Sequence, residues 1–467
     1  MNSLAHKSMA LAVLCLVTTA MGGDGVPATY WVWHRTTRLT DTETTELDEQ
    51  GVKFLYWQAG ELTAKAAGWV WSRAPLNVSE LAPKRRVIPT VRLESDVSDP
   101  FQPSSVVELR TMLRQTAAGG TALQIDYDCP DRLLDRYAET LAELRRDFPQ
   151  LSITALAHWV RRAEWPRLAA AVSEVAPMFY DLQADPTGLP PLPPPLLDPD
   201  QFKDALDPWS RCGIRWRAGL PNFARLTVFD RTGLSRGQIA NWMWPQLVFH
   251  RHLRAVQPTA LGMTAFRVGE NTKVARTSVL AGETVVSRTV DRKSLALASR
   301  QAMAAGADGI IYFRLPDGTD PAGRSLSDLG ALQTSDDPRL ELRPCGRDRV
   351  ALRNVSKVDL PPRLTGARGD RDRGYALEID APVPIFREAV AGEFWRVTAH
   401  ADPDSEKPRA VTIPLATRLT FWFSDLRAGQ ELRSGLLQFA PNAKLEAVRY
   451  RILDTATSNA WTSFVSP

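Results

Sequence analysis

The chain has 467 residues, of which 44% are hydrophobic and 24% charged, and its net charge is +4. That balance builds a sizeable core, and no Lys/Arg cluster accompanies a recognised binding motif, so nucleic acid is not an expected partner. The length exceeds one ordinary domain and suits a barrel of about 250–300 residues with a smaller companion.

The N-terminus reads as an export signal over residues 1–23. Lys7 supplies the positive end, the run from Met9 to Thr18 is apolar, and Ala20, Gly22 and Gly23 offer small residues for a peptidase. The run is too short to span a bilayer, and no later stretch is long and apolar enough to do so. Ala12-Val13-Leu14 lacks the small residue expected before a lipidated Cys15. The expectation is a secreted protein, periplasmic or extracellular, with no membrane span after cleavage. Cys129, Cys212 and Cys345 then remain; their spacing fits no metal motif, and buried thiols with at most one disulfide are expected. No His/Glu spacing resembles a zinc site.

From residue 28 to about 320, short apolar runs alternate with helical patterns, the signature of parallel βα units. Eight strands are expected, at 29–34, 53–58, 87–94, 122–128, 152–158, 176–181, 214–221 and 309–313. Eight in this order favour a closed (β/α)8 TIM-like barrel over an open sheet. Between them, residues 130–148 carry Leu133, Leu134, Tyr137, Leu141 and Leu144 at helical spacing. Residues 294–305 are Ala-rich and stop before Gly306. The proline-dense stretch 186–199 cannot be helical and reads as a loop after strand six. An insertion at 225–292 separates strands seven and eight. It holds an expected helix with Trp242 and Trp244, then two strands near 265–268 and 284–290. After about residue 320 helical periodicity ends, and short alternating segments over 340–467 predict a β-sandwich-like domain. It either packs against the barrel or serves as an accessory carbohydrate surface.

Strand four carries the chemistry. Side chains alternate along a strand, so Leu123, Ile125 and Tyr127 face the covering helices while Gln124, Asp126 and Asp128 face the barrel mouth. Three polar groups on one inward face are costly unless hydrogen-bonded or used. Crowded carboxylates push one pKa upward, which suits a general acid. The plainer alternative has Asp128 capping the next helix.

Leu123-Gln124-Ile125-Asp126-Tyr127-Asp128 resembles the strand-four motif of glycoside hydrolase family 18, the chitinase-like barrels, whose pattern is Asp-x-Asp-x-Glu. Met178-Phe179-Tyr180-Asp181 is similar to that family's strand-six Met-x-Tyr-Asp, and Gly219-Leu220-Pro221 to its strand-seven Gly-Leu-Pro. The chain also resembles domain-of-unknown-function family 3142, through Tyr30-Trp31-Val32-Trp33-His34-Arg35, Gln124 to Asp128, and Ser152 to Trp159. That second resemblance implies a glycosidase-like barrel without a settled activity.

The first resemblance implies a polysaccharide or oligosaccharide partner and no cofactor. Asp128 would protonate the glycosidic oxygen and Asp126 would orient a substrate acetamido group, whose carbonyl attacks the anomeric carbon. Tyr180 and Asp181 would hold that group. A direct alternative pairs Asp128 as acid with Glu94 or Asp181 as base. This chain departs from the pattern twice, with Gln124 at the first Asp and Asp128 at the Glu. The shorter Asp128 side chain sets its carboxyl roughly 1.5 Å back, and misplacement near that size costs ~100-fold in rate. A carbohydrate-binding barrel without cleavage is therefore the competing expectation. The 14 Trp serve either as core or as platforms for sugar rings. His34, Trp57, His158 and Tyr312 are the residues expected to join Gln124 and Glu94 around the substrate, and Tyr312 is preferred to Phe313 for its hydroxyl.

Overall fold

A computed structural model describes residues 26–116, 120–180, 182, 193–258, 262–317, 323–346, 348–364, 373–401, 409–441, 443, 447–453 and 460–463. The expected signal, with Cys15, and the expected site residue Asp181 lie outside the described residues.

In chain order the first strands are β1 (Ala28–Val32), β2 (Phe54–Lys65), β3 (Gly68–Arg73), β4 (Arg86–Ser95), β5 (Ala122–Asp126), β6 (Gln150–Leu156), β7 (Glu174–Met178) and β8 (Ala218–Pro221). The insertion contributes β9 (Arg225–Phe229), β10 (Ser235–Gln238), β11 (Leu253–Pro258), β12 (Met263–Val268), β13 (Thr272–Val274), β14 (Thr277–Val279) and β15 (Thr284–Arg288), and β16 (Ile310–Phe313) follows it. The order β1-β16-β8-β7-β6-β5-β4-β2 closes through a β1–β2 pairing, all parallel. These are the eight expected barrel strands in the expected order. Two boundaries differ in a way that matters. The fourth barrel strand ends at Asp126, so Asp128 stands on the loop just beyond it. The second is twice its expected length and folds back as the hairpin partner β3.

The helices that wrap the barrel follow from apolar spacing and caps. The helix α1 (Asp41–Glu49) starts with a Thr40/Glu43 capping box. Next comes α2 (Pro103–Thr116), then α3 (Leu134–Leu144), which buries Tyr137, Ala138, Leu141 and Leu144 on one face. After α4 (Trp165–Ala171), the Asp198 side chain caps α5 (Pro199–Leu206). The short α6 (Trp244–Val248) belongs to the insertion; α7 (Arg292–Ala304), capped by Asp291, and α8 (Leu326–Gly330) complete the set.

Two apolar layers result. Leu123, Ile125 and Tyr127 join Tyr137 and Leu141 in the layer between sheet and helices. Inside the barrel, Trp31, Tyr56, Ile88, Ala176 and Ile311 pack together, each such burial contributing roughly 1.5–3 kcal/mol for an ordinary apolar side chain. Gly219 makes the inner layer possible, because a Cβ there would stand 2.8 Å from the Trp31 ring and 3.0 Å from the Pro177 carbonyl oxygen.

The insertion forms an antiparallel sheet, β10-β9-β15-β12-β11, over a core that includes Leu226, Phe266, Val285 and Trp242. Beyond α8 come several antiparallel sheets, the largest with six strands, around Leu352, Leu377, Ile379, Leu419 and Phe421. Asp328 on α8 is wholly buried and pairs with Arg324 at 2.6 Å and Arg292 at 3.0 Å. Next to it, Asp359 accepts the Ser325 and Ala428 backbone N–H groups, which ties the C-terminal sheets to the barrel. Cys129 and Cys212 are buried free thiols, and Cys345 is unpaired as well. No helix among the described residues is long and apolar enough to cross a membrane.

Candidate functional site

The C-terminal ends of the barrel strands open into a cavity of about 870 Å³, the end of such barrels where loops build a site. One guanidinium organises its acidic side. Arg92, near the end of β4, pairs with Glu94 at 2.6 Å, with Asp126 at 2.9 Å and with Asp128 at 3.2 Å. The register explains the contact: Arg92 lies directly opposite Asp126 across the β4–β5 pairing, and side chains two apart share a face.

Asp126 is buried, and both of its oxygens are engaged, Oδ1 by the Thr154 hydroxyl at 2.8 Å and Oδ2 by Arg92. Loss of water pushes its carboxyl above the usual range; Arg92 opposes that rise and the Asp128 charge adds to it. Asp128 is half exposed and turned into the cavity. It does not cap a helix: the turn at Asp131–Leu133 begins after Pro130, with no side-chain cap bond there or at the start of α3. One carboxyl is thus dry and fixed, and its neighbour is wet and reachable.

Aromatic rings form the opposite wall. Phe313 meets Trp33 edge-on at 5.7 Å and stacks with Tyr180 at 5.8 Å. A cavity with flat apolar rings on one side and carboxylates on the other suits a polyhydroxylated ring: carbon faces stack while hydroxyls donate to the acids. Burial, then the nearby Arg73 charge, holds His34 below the usual imidazole range.

Of the residues expected around a substrate, Asp126, Asp128, Glu94, His34, His158 and Tyr180 all line this cavity. Three lie elsewhere. Gln124 does point into the barrel, but one layer lower and fully buried; its Oε1 accepts from Trp31 Nε1 at 2.7 Å and Thr90 Oγ1 at 3.2 Å. Trp57 faces the helices, where its indole donates to the Arg35 carbonyl. Tyr312 is buried against Ser299, so Phe313, its neighbour of opposite parity, is the one that lines the cavity. His34 and Trp33 both reach the mouth because the strand ends at Val32 and His34 takes φ +58°, which breaks the alternation.

Arg92 escaped sequence reasoning, although Arg92-x-Glu94 on one strand beside Asp126-x-Asp128 on the next was a readable signal. Glu61, raised to the rim by the long β2, and Arg161 and Arg225 were also missed.

Residues 83–235 match the model of a family described as a domain of unknown function (DUF3142). No curated protein matches the chain. Among solved structures, a chitinase from Chromobacterium violaceum is 15% identical with a TM-score of 0.41, over 63% of this chain and 96% of that one. A glycoside hydrolase family 18 N-acetylglucosaminidase from Paenibacillus barengoltzii is 13% identical with a TM-score of 0.41, over 66% and 99%. A spore cortex-lytic enzyme of Bacillus megaterium is 12% identical with a TM-score of 0.44, over 63% and 72%.

Proposed function

We propose that this chain is an exported glycoside hydrolase acting on an extracytoplasmic polysaccharide, with Asp128 as its general acid. The observation that carries the reading is the meeting of Asp126, Asp128 and Glu94 around Arg92, facing Trp33, Phe313 and Tyr180 in one open cavity. Asp128 hands its proton to the glycosidic oxygen as the bond from that oxygen to the anomeric carbon breaks. The carbon is then taken either by the carbonyl oxygen of a substrate acetamido group or by water that Glu94 deprotonates. With an N-acetylated sugar, the acetamido N–H is a third donor to Asp126, which the lone pairs of a carboxylate allow. Tyr180 borders the same space and is a hydrogen-bond donor to the substrate.

The test is incubation of wild type and Asp128→Asn with a polysaccharide panel, scored for released reducing ends. Products from wild type, with a rate at least ~100-fold lower in the variant, are expected for loss of a general acid. Equal rates remove Asp128 from the mechanism.

A second reading, carbohydrate binding without cleavage, is favoured by the Arg92 pairing itself. In the protein without ligand, Asp128 is already engaged by a guanidinium. Glycan binding by wild type, with no product from any member of the panel, supports that reading over the first.

A further inference from the structure

A second cavity, of about 550 Å³, lies where α1, the segment after β16, the insertion and the C-terminal sheets meet. Its size falls within the ~300–1,000 Å³ of small-ligand sites. Its lining has two unusual properties. The first is exposed apolar surface. Trp395 is 49% exposed and Met243 also 49%, and Trp395 is the one aromatic residue among the exposed large hydrophobics of the described residues. Its ring is not loose, because it stacks on Phe249 at 5.6 Å with the planes only 14° apart. An indole held in place and left open to water is a platform for a flat ligand face.

The second property is charge. Among the described residues, five carboxyl-bearing side chains line the cavity and a single cation, Arg427, which donates to the Gly323 carbonyl. Arg35 neutralises Glu43 through two bonds, at 2.6 and 2.8 Å. Among the described residues, Glu46, Glu393 and Asp425 have no such paired cation: Glu46 accepts from the Ser327 hydroxyl, Glu393 from the Arg433 backbone N–H, and Asp425 from the Ser424 hydroxyl. Burial pushes the Asp425 carboxyl up to about 6, with the Asp359 charge adding to the rise and Arg427 opposing it, and burial raises Glu46 too. Carboxylates short of a counter-charge beside an open indole form a site for a cation carried on an apolar ring face.

We propose that this cavity binds a glycan bearing free amino groups, with the sugar ring stacked on Trp395 and its ammonium held by Asp425, Glu46 and Glu393. The site is separate from the barrel cavity and stands whether or not that cavity cleaves. A sugar uses the site more fully than a free metal or a bare amine, because its ring carbons cover the exposed indole and the Met243 thioether while its ammonium meets the carboxylates.

The probe is a β-1,4-linked glucosamine tetrasaccharide with its amines protonated. The protein is the full mature chain labelled with 5-fluorotryptophan, carrying Asp128→Asn so that no ligand is consumed. The Trp395 fluorine line is assigned with Trp395→Phe. The glucosamine oligomer is expected to shift that line saturably, and Asp425→Asn or Glu393→Gln to weaken its binding by about tenfold each. Glu393 is exposed, so its variant keeps the test alive if Asp425→Asn does not fold. The proposal is overturned by no shift. It is overturned equally by the same shift from the N-acetylated or the glucose tetrasaccharide, which would mark a neutral sugar surface. A shift from pentalysine without one from the glucosamine oligomer would mark a basic-peptide surface and also overturns it.

Discussion

Two arginine–carboxylate clusters in this molecule use the same groups to opposite ends. Around Asp328, two guanidiniums surround one carboxylate that has no exposure to water. Three further nitrogens of the two guanidiniums reach backbone carbonyls of Ala331, Thr334 and Val290. Around Arg92 the ratio is reversed: one guanidinium serves three carboxylates, two of them about half exposed. A cluster whose carboxylate is closed to water can only hold elements together. An open one with excess negative charge keeps lone pairs for something that arrives from solvent.

Five variants break or sharpen this contrast. The largest effect is on turnover: Asp128→Asn should lower glycan release at least ~100-fold while leaving the melting temperature unchanged. A comparable loss of stability instead would make its cluster structural. Asp328→Asn should do the reverse. It leaves two partly buried cations without the wholly buried carboxylate between them, and breaking a pair of that kind costs about 3–5 kcal/mol, to be measured by denaturant unfolding. A neutral result there would mean that water reaches the cluster.

Arg92→Met comes third. Arg92 is the cation that holds the Asp126 carboxyl down against burial and Asp128, so its removal should move the Asp126 titration further up, read by carboxyl-carbon NMR. Arg324→Met should perturb Asp328 less, since Arg292 stays in contact. The smallest effect is on pH dependence. Asp126 has a raised folded-state pKa, so the folded chain binds its proton more tightly than the unfolded chain does. Its contribution to stability is therefore present at low pH and falls as pH rises from the unfolded carboxyl value through the raised one. Asp126→Asn should flatten that decline, and stability–pH curves that keep the wild-type slope would contradict it.

The barrel was legible because its strands are short apolar runs at regular intervals, and Asp126 and Asp128 because polar residues two apart on such a run stand out. Parity was legible only there. On the second barrel strand both faces are apolar, as is usual where a parallel sheet is covered on both sides. Trp57 and Tyr56 are then equivalent candidates by composition, although the first packs under the helices and the second fills the barrel. Tyr312 and Phe313 posed the same problem, and preferring the hydroxyl chose the buried member. Arg92 was hidden differently. Its role depends on standing beside Asp126 across two strands, a register that periodicity along one strand does not encode. The five-stranded sheet of the insertion was half visible: β12 and β15 were expected, and β9, β10 and β11 were not.

The Trp31 indole lies between the buried Gln124, to which it donates, and the open cavity that it lines from below. Its room is provided by the missing side chain of Gly219, two strands away on β8. The ring therefore helps to set the depth of the cleft, together with other inward side chains that line it, Thr154 and Met178 among them. Exchanging Trp31 for a smaller residue would lower the floor and open the second layer, with Gln124, to whatever occupies the cavity. Substitution at this one position would change how far a ligand descends while leaving the eight-stranded wall as it is.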